Sequence, residues 1–219
     1  MEDILKLISG IAWTIVYIDA IRIGFKDKSY AMPLFALGLN LGWEVLYAYL
    51  SLTQSSGPSL QGYINASWAL FDVGLVYTYF RYGRRDWPVS VPNRIFLSWS
   101  VLVFITTIIL QLAFFYEFGE HLGARYSAFL QNLIMSVLFI GMFVARKGRR
   151  GQTLLIAVAK WIGTLAPTIL FGIIEQSLFI LVLGVFCSFF DIIYIRLLLL
   201  TRHNPNIMVD AMRETTAAE

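Results

Sequence analysis

The stretch NLGWEVLYAY, residues 40–49, places a glutamate in the middle of a long apolar run. In water, a helix would turn Glu44 outward to the solvent at no cost. In a bilayer, an ionised carboxylate near the middle of the hydrocarbon costs about 3 kcal/mol, and such a residue commonly marks a functional site. The surroundings of this stretch therefore decide both the fold class and the role of Glu44.

The composition indicates a protein that spans a membrane. Apolar residues make up 58% of the 219-residue chain and charged residues only 14%, whereas soluble domains carry about 25% charged residues. Uncharged stretches of about 20 residues recur, which is the length that a helix needs to cross the hydrocarbon. Nucleic-acid binding would require a basic soluble face, which this pattern does not provide. We predict a multi-pass integral membrane protein, in a bacterial plasma membrane or an endoplasmic reticulum, with membrane lipid and no nucleic acid as partner.

Seven apolar segments predict an all-α membrane protein, a seven-transmembrane helix bundle. Backbone polar groups in lipid must be satisfied within their own segment, so each span is predicted to be a helix. The connections are short, which predicts one seven-helix transmembrane domain over residues 1–201 and a polar cytoplasmic tail over residues 202–219. The predicted spans are residues 4–24, 31–53, 63–82, 94–116, 124–145, 153–173 and 177–200.

The basic residues predict the orientation of the bundle. Of the 17 Lys and Arg residues, all except Lys6, Arg125 and Lys160 fall in alternate connections or at the C-terminal end. Short loops rich in Lys and Arg stay on the cytoplasmic side of a membrane. The N-terminus is therefore predicted to lie outside and the C-terminus in the cytoplasm.

One proline interrupts a predicted span. Pro167 lies inside the sixth segment, where its missing N–H leaves a carbonyl one turn earlier without its helical partner. We predict a kink at this point, with the freed carbonyl facing the interior of the bundle.

Three carboxylates, Glu44, Asp72 and Asp191, lie near the middle of their predicted helices. At a rise of 1.5 Å per residue, all three fall within roughly 5 Å of the membrane midplane. Three such groups, if ionised, would together cost about 9 kcal/mol, which is comparable with the net stability of a whole domain. At least one is therefore predicted to be a neutral acid, and all three are candidate catalytic residues.

Polar and aromatic side chains share the helix faces of these carboxylates. Helical spacing places at least one aromatic or amide side chain beside each acid. The fourth and fifth segments add amide side chains in the halves that are predicted to face outside, among them Gln131. We therefore predict one internal cavity lined by these groups. The predicted substrate-binding residues are Asn40, Trp43, Tyr47, Trp68, Tyr79, Gln111, Asn132 and Tyr194.

This combination of groups suits acid-initiated chemistry on a lipophilic substrate. A neutral carboxylic acid in a dry pocket can donate a proton to a poor base such as an epoxide oxygen or an alkene. Aromatic faces stabilise the resulting carbocation, by up to about 2 kcal/mol each when desolvated, and a second carboxylate or an amide can accept the final proton. Two alternatives stay open: a proton-coupled transporter also places carboxylates at the midplane, and a scaffold would use buried acids only to join helices.

Three segments resemble the membrane-bound terpene cyclases of meroterpenoid and indole-diterpene pathways, a seven-helix family. They are NLGWEVLYAY at residues 40–49, WALFDVGLVYTYFRYG at residues 68–83 and FFDIIYI at residues 189–195. The resemblance includes the chain length, the number of spans and the acidic residues in helices 2, 3 and 7, so it covers nearly the whole chain.

The resemblance implies a cyclase that starts its reaction by protonation and uses no metal or other cofactor. In that family the acids of helices 2 and 7 are taken to protonate the terminal epoxide or olefin of a prenyl chain. These roles would fall on Glu44 and Asp191, while Asp72 would shape the hydrogen bonds of the acid. The chain also lacks the clustered carboxylates that bind magnesium for the ionisation of a diphosphate.

The resemblance also implies the substrate and the preceding steps of the pathway. The expected substrate is a lipophilic prenylated small molecule that bears a farnesyl or geranylgeranyl chain, with or without an epoxide. An upstream prenyltransferase would attach this chain to the acceptor. An epoxidase would act before the cyclase wherever the substrate carries an epoxide.

Overall fold

The computed structural model describes residues 1–54 and 57–203, and every regular element within them is helical. The predicted all-α class is therefore confirmed for this part of the chain. The last helix extends two residues into the predicted tail, and residues 204–219 of that tail lie outside the described residues. The helices are α1 Glu2–Lys26, α2 Leu34–Leu52, α3 Leu60–Tyr82, α4 Arg94–Ala145, α5 Leu154–Pro167 and α6 Leu178–His203, with a 3-10 turn at Gly83–Asp86 and a π-helical segment at Thr168–Ile174.

The predicted fourth and fifth spans are two helices that meet at a sharp break, and together they form the 52-residue element α4. Its backbone breaks at Gly119, with φ 74° and ψ 179°, a conformation that is essentially restricted to glycine. The two arms, residues 94–118 and 120–145, approach each other closely after the break. A Cβ atom at Gly123 would lie 2.7 Å from the carbonyl oxygen of Phe114. The backbone break thus takes the place of the loop that was predicted between these spans.

The helix changes its type at Pro167, where a kink is predicted. α5 ends there and the chain continues as the π-helical segment. Because Pro167 has no N–H, the carbonyl of Gly163 loses its usual partner. It accepts a hydrogen bond from the Ser9 hydroxyl of α1 at 2.8 Å instead. The carbonyl that is predicted to be free therefore ties α5 to α1.

Each helix packs against defined neighbours, and side-chain caps fix where two of the helices begin. α1 packs on α5 and α3, α2 packs between α3 and α4, and α6 packs against α4 and α5. Thr153 caps α5 by accepting a hydrogen bond from the N–H of Ile156 at 3.0 Å, and its hydroxyl donates to Asp19 of α1. Ser59 caps α3 through the N–H of Gly62, also at 3.0 Å. Such caps satisfy backbone donors that have no partner within the helix.

The interior of the bundle holds polar and charged side chains among its apolar core residues, and its outer faces are rich in exposed apolar side chains. Asp72 and Lys160 are completely buried, whereas Leu102 and Phe189 are 56% and 60% exposed. Many other large apolar side chains on the outer faces are exposed in the same way. Monomeric soluble proteins rarely expose contiguous apolar surface on this scale. The distribution is that of a protein whose outer surface contacts lipid.

Four helical segments in the described part of the chain are long and apolar enough to cross a membrane, judged by length and composition. They are Glu2–Lys26, Arg94–Ala145, Leu154–Ile174 and Leu178–Thr201. α2 and α3 have 19 and 23 residues, but their buried polar side chains lower their mean hydropathy. The seven-span topology and its orientation go beyond these four segments and stay predictions.

Candidate active site

A cavity of about 380 Å³ lies at the end of the bundle where α1 and α3 begin. Its volume falls within the range of small-molecule sites, roughly 300–1,000 Å³. The wall comes from α1, α2, α3, the second arm of α4 and the end of α5 with its π-helical extension, and it includes polar Lys6, Gln61 and Arg125. We call it the aromatic cavity, after the side chains of Trp13, Tyr17, Trp43, Trp68, Phe129 and Phe171.

Glu44 is the only carboxylate that the described residues contribute to the wall of the aromatic cavity. The residue is 5% exposed, and its Oε2 atom has no hydrogen-bond partner within the described chain. Asn40 lies on the same wall, as expected for a residue four positions before Glu44 on α2, and the adjacent Trp43 also lines it. Glu44 thus combines contact with the cavity and a free carboxyl oxygen.

Tyr17 and Asn40 connect Glu44 to Asp72. The Nδ2 atom of Asn40 donates to the Tyr17 hydroxyl at 2.5 Å and to Oδ2 of Asp72 at 2.9 Å. The Tyr17 hydroxyl also lies beside the carboxyl of Glu44. Because this hydroxyl accepts from Asn40, its own hydrogen is available for Glu44. The four side chains, all at most 5% exposed, form one network across α1, α2 and α3.

Hydrogen bonds fix two tryptophans of the wall. The indole N–H of Trp43 donates to the carbonyl of Ala124 at 3.0 Å, and that of Trp68 donates to the Thr14 hydroxyl at 3.2 Å. The Trp43 ring also packs on Tyr47, with the ring centroids 4.8 Å apart. The aromatic faces of the cavity are therefore held in place by neighbouring helices.

The second arm of α4 contributes two amide side chains to the wall, Gln131 and Asn132. Oε1 of Gln131 accepts a hydrogen bond from Nε2 of Gln111 at 2.7 Å, and the same nitrogen donates to the Leu39 carbonyl at 3.1 Å. Gln111 therefore supports the wall from behind. Oδ1 of Asn132 is buried and has no partner among the described residues.

Asp191 forms a buried ion pair with Lys160 and does not line the aromatic cavity. The Nζ atom of Lys160 lies 2.8 and 3.0 Å from the two carboxyl oxygens and donates to the Ser136 hydroxyl at 2.7 Å. Ser136 in turn donates to the carbonyl of Asn132 at 2.8 Å. The pair therefore joins α5, α6 and α4 about one helical turn from the wall.

The structure brings some of the predicted site residues together at the aromatic cavity and places others away from it. Tyr79 hydrogen-bonds Ser100 at 2.9 Å and Tyr194 donates to Gln152 at 2.8 Å, both outside the wall. Asp72, Tyr47 and Gln111 lie directly behind the wall, whereas Asp191 lies in its ion pair. The roles of all these residues in a reaction stay predictions. The predicted residues that line the cavity are Asn40, Trp43, Glu44, Trp68 and Asn132.

Two buried residues at this site have no predicted role from sequence, Tyr17 and Lys160. Tyr17 follows Trp13 by four residues, so one face of α1 carries both aromatic side chains, and both line the cavity. Lys160 lies inside a predicted span, where a lysine needs a charged or polar partner. The sequence offers such a partner in Asp191, which lies at a similar depth in another predicted span.

The described residues contain no group of three or more His, Cys, Asp and Glu side chains that is able to hold a metal ion. The one cysteine of the chain, Cys187, is buried and free. The prediction that the protein uses no metal or cofactor stays a prediction.

Comparison with known proteins decides the family. The family model that describes the Pyr4-like transmembrane terpene cyclases matches residues 1–203 of the sequence. The chain belongs to this family. The resemblance to membrane-bound terpene cyclases is thereby confirmed, and the protein is a multi-pass membrane terpene cyclase. Family membership favours this prediction over the transporter and scaffold alternatives.

Curated relatives of the cyclase are fungal terpene cyclases. The Pyr4-family terpene cyclase mfmH of Annulohypoxylon moriforme is 30% identical over 179 residues, which cover 78% of this chain and 70% of the relative. Terpene cyclase dpchB of Colletotrichum higginsianum is 30% identical over 169 residues, covering 75% and 67%. Terpene cyclase macJ of Penicillium terrestre is 34% identical over 156 residues, covering 70% and 58%. No solved structure gives a significant match to the cyclase.

Proposed function

We propose that the cyclase uses Glu44 as the acid that starts a carbocation cyclisation of a prenylated acceptor in the aromatic cavity. One observation carries this proposal: Glu44 is the sole carboxylate that the described residues contribute to that wall, and one of its oxygens has no partner there. An acid that must reach a bound substrate needs both properties. A general acid in this position accelerates a reaction by about 10²–10⁴-fold.

The proposed reaction is an isomerisation. The proton of Glu44 passes to the epoxide oxygen or the terminal alkene of a farnesyl or geranylgeranyl chain, and the epoxide C–O bond or the alkene π bond breaks. The carbocation is attacked by the next alkene along the chain, and rings form in succession. The carboxylate of Glu44 takes up a proton from carbon at the end of the sequence, which restores the acid, so the product has the mass of the substrate.

The wall of the cavity suits the cationic intermediates. Trp43 and Trp68 present aromatic faces that are held by hydrogen bonds. Cation–π attraction to such faces stabilises a desolvated cation by up to about 2 kcal/mol each. Unlike water, these aromatic side chains do not add covalently to the cation. The free Oδ1 atom of Asn132 gives the acceptor portion of the substrate a polar contact.

The network behind Glu44 supports its role as an acid. The Tyr17 hydroxyl is positioned to donate to the carboxylate that remains after the proton has left, and Asn40 and Asp72 hold Tyr17 in place. We assign to Asp72 and Tyr17 a positioning role. We also assign a positioning role to Asp191, because its ion pair with Lys160 holds the α4, α5 and α6 segments next to the cavity.

We further propose seven membrane passes, with the N-terminus outside and the C-terminus in the cytoplasm. α4 folds back at Gly119, so that its two helical arms supply two of the seven passes. With this orientation the basic connections face the cytoplasm, and the aromatic cavity lies in the outer half of the membrane. The pathway position follows from the substrate: a prenyltransferase acts before the cyclase, and an epoxidase does so for an epoxidised substrate.

Product analysis tests the proposal. Membranes that contain the wild type, Glu44→Gln or the control Glu117→Gln are incubated with farnesylated and geranylgeranylated acceptors, with and without a terminal epoxide, in excess chelator. Glu117 is an exposed residue outside the cavity. We expect the wild type and Glu117→Gln to form a cyclic product of unchanged mass. We expect Glu44→Gln to lose at least about 100-fold in rate, because the amide has no acidic proton to donate.

Two outcomes would contradict the proposal. Undiminished cyclisation by Glu44→Gln would remove Glu44 as the acid. Cyclisation that requires metal and releases diphosphate would replace protonation by ionisation of a leaving group. Expression and folding of each variant are checked by gel filtration in detergent before rates are compared.

A further inference from the structure

A second cavity, of about 550 Å³, lies at the end of the bundle opposite the aromatic cavity. It forms where the connection between α1 and α2, the segment after α3 and the end of α4 meet. Its wall runs along the last turns of α4 from Leu138 to Arg146, a length of about 12 Å at 1.5 Å per residue. We call it the basic groove, because Arg85, Arg146, Lys147 and Arg150 line it.

The charges of the basic groove are unbalanced. Four cationic side chains face one carboxylate, that of Asp86. Asp86 already pairs with two of them: its Oδ2 lies 2.9 Å from Nη2 of Arg146, and its Oδ1 pairs with Arg150. The Arg146 side chain is only 3% exposed. The groove thus carries an excess of three positive charges, part of it out of reach of water, which attracts an anion.

Arg146 anchors this arrangement. Its Nη1 atom donates to the carbonyls of Tyr30 and Arg150, each at 2.9 Å. Its guanidinium also lies over the Tyr30 ring, 4.2 Å from the centroid. The cationic end of the groove therefore combines one fixed guanidinium with two exposed cations beside it, Arg85 and Lys147.

The other end of the groove is apolar. Leu138, Gly141 and Met142 of α4 line it together with Leu34 of α2. A Cβ atom placed on Gly141 would meet nothing within 4 Å, so the groove is open at this point of the helix. Val144, on the neighbouring outer surface, is 54% exposed. The groove thus changes from apolar to cationic along α4 and adjoins a surface that contacts lipid.

We propose that the basic groove binds an anionic phospholipid. The phosphate would pair with Arg85 and Lys147 beside the fixed Arg146, and an acyl chain would lie along Leu138 and Gly141. A soluble anion would use the cationic end only, whereas a lipid matches both ends. Basic pockets between membrane helices are a recurring way of holding anionic headgroups.

Lipid-dependent thermal stability tests this inference without reference to cyclisation. The purified full chain in detergent is unfolded thermally with added phosphatidylglycerol or with phosphatidylcholine of the same acyl chains. We expect phosphatidylglycerol to raise the Tm of the wild type by about 5 °C more than phosphatidylcholine, because a ligand that binds only the folded state stabilises it. The double variant Arg85→Gln/Lys147→Gln should lose most of this difference.

Lys26→Gln/Lys28→Gln is the matched control. It also removes two cations at the same end of the bundle, but neither residue lines the groove. Lys28 and Lys147 share a positive φ, 48° and 52°, so the two double variants carry a similar backbone demand. The control should keep the full phosphatidylglycerol effect.

Gly141→Leu provides a variant that keeps every charge. Leucine is a better helix former than glycine, and its side chain would occupy the open part of the groove. We expect this variant to fold and to lose most of the phosphatidylglycerol effect, which keeps the test decisive if the charge variant does not fold. Equal Tm shifts for both lipids, or an unchanged shift in Gly141→Leu, would overturn the proposal. A full shift with glycerol phosphate or inorganic phosphate alone would also overturn it in favour of a soluble anion.

Discussion

At the scale of the residue, Tyr17 is the side chain that links the proposed acid to its support. Its hydroxyl contacts Glu44 and accepts from Asn40. We expect Tyr17→Phe to lower kcat by about 10- to 100-fold with little change in KM, since a hydrogen bond to a charged group contributes about 1.5–3 kcal/mol and the contact with Glu44 is strongest after the proton has left. Initial rates at several substrate concentrations measure both constants.

Tyr63→Phe is the control for Tyr17→Phe, because Tyr63 is 57% exposed and lies outside the cavity wall. It should leave both constants unchanged. A rise in KM with kcat preserved would mean that Tyr17 only contacts the substrate, and it would contradict the positioning role.

The sequence predicts the residues of α2 at this site better than the residue of α1. Asn40 and Glu44 are polar groups one helical turn apart in an apolar segment, so their shared face is readable. Tyr17 stands among apolar neighbours with no such contrast, and aromatic side chains occur throughout the chain. Its place in the network depends on how α1 is rotated against α2 and α3, which is a property of packing and not of local spacing.

At the scale of the element, the ion pair of Lys160 and Asp191 joins α5 to α6. We expect Lys160→Met and Asp191→Leu each to lower the free energy of unfolding by about 3–5 kcal/mol, because each leaves a buried charge unpaired. The double variant should cost much less than the sum, since it removes both charges. Denaturant titrations of the four proteins in detergent give the coupling energy.

The pair of Glu2 and Lys6 serves as the control for this cycle. Its atoms lie 3.9 Å apart and both side chains are more than half exposed, so Glu2→Leu and Lys6→Met should show little coupling. Additive effects of the Lys160 and Asp191 variants would contradict the assignment of a joint structural role. An Asp191→Leu variant with the full stability of the wild type would also contradict this structural role.

The break of α4 at Gly119 gives a second prediction for an element. We expect Gly119→Ala to lower the free energy of unfolding by about 1–3 kcal/mol, because alanine does not tolerate the φ and ψ of this position. The control is Gly141→Ala, measured without added lipid, at a helical position with open space around it. There alanine should be neutral or stabilising. Equal effects of the two substitutions would show that the break does not depend on glycine.

The order of the helices is largely predictable from the sequence, but their rotations are not. The lengths of the apolar segments indicate the helices. Pro167 marks the change of helix type, because its missing N–H removes the hydrogen bond to the carbonyl four residues earlier. A loop between residues 116 and 124 is expected, but the two helices of α4 meet directly at Gly119. The equal depth of Glu44 and Asp191 suggests one cavity, but depth leaves the direction of each side chain open, and Lys160 holds Asp191 elsewhere.

At the scale of the whole molecule, the two ends of the bundle differ in character. The aromatic cavity at one end holds a single carboxylate from the described residues, and the basic groove at the other carries excess positive charge. Lys and Arg residues on the cytoplasmic side orient a membrane protein. The same charges that are proposed to bind lipid therefore also predict which way the cyclase faces.

Labelling of single cysteines tests this orientation and the number of passes. Cys187 is fully buried, and buried thiols are inert, so the native chain gives a quiet background. Gln54→Cys and Ser90→Cys place exposed thiols before and after α3, a helix whose hydropathy alone does not identify it as a span. In intact cells, we expect a membrane-impermeant maleimide to label Gln54→Cys only. After permeabilisation both should react, which shows that Ser90→Cys is accessible from the other side. Labelling of both in intact cells would mean that α3 does not cross the membrane, and labelling of Ser90→Cys alone would reverse the orientation.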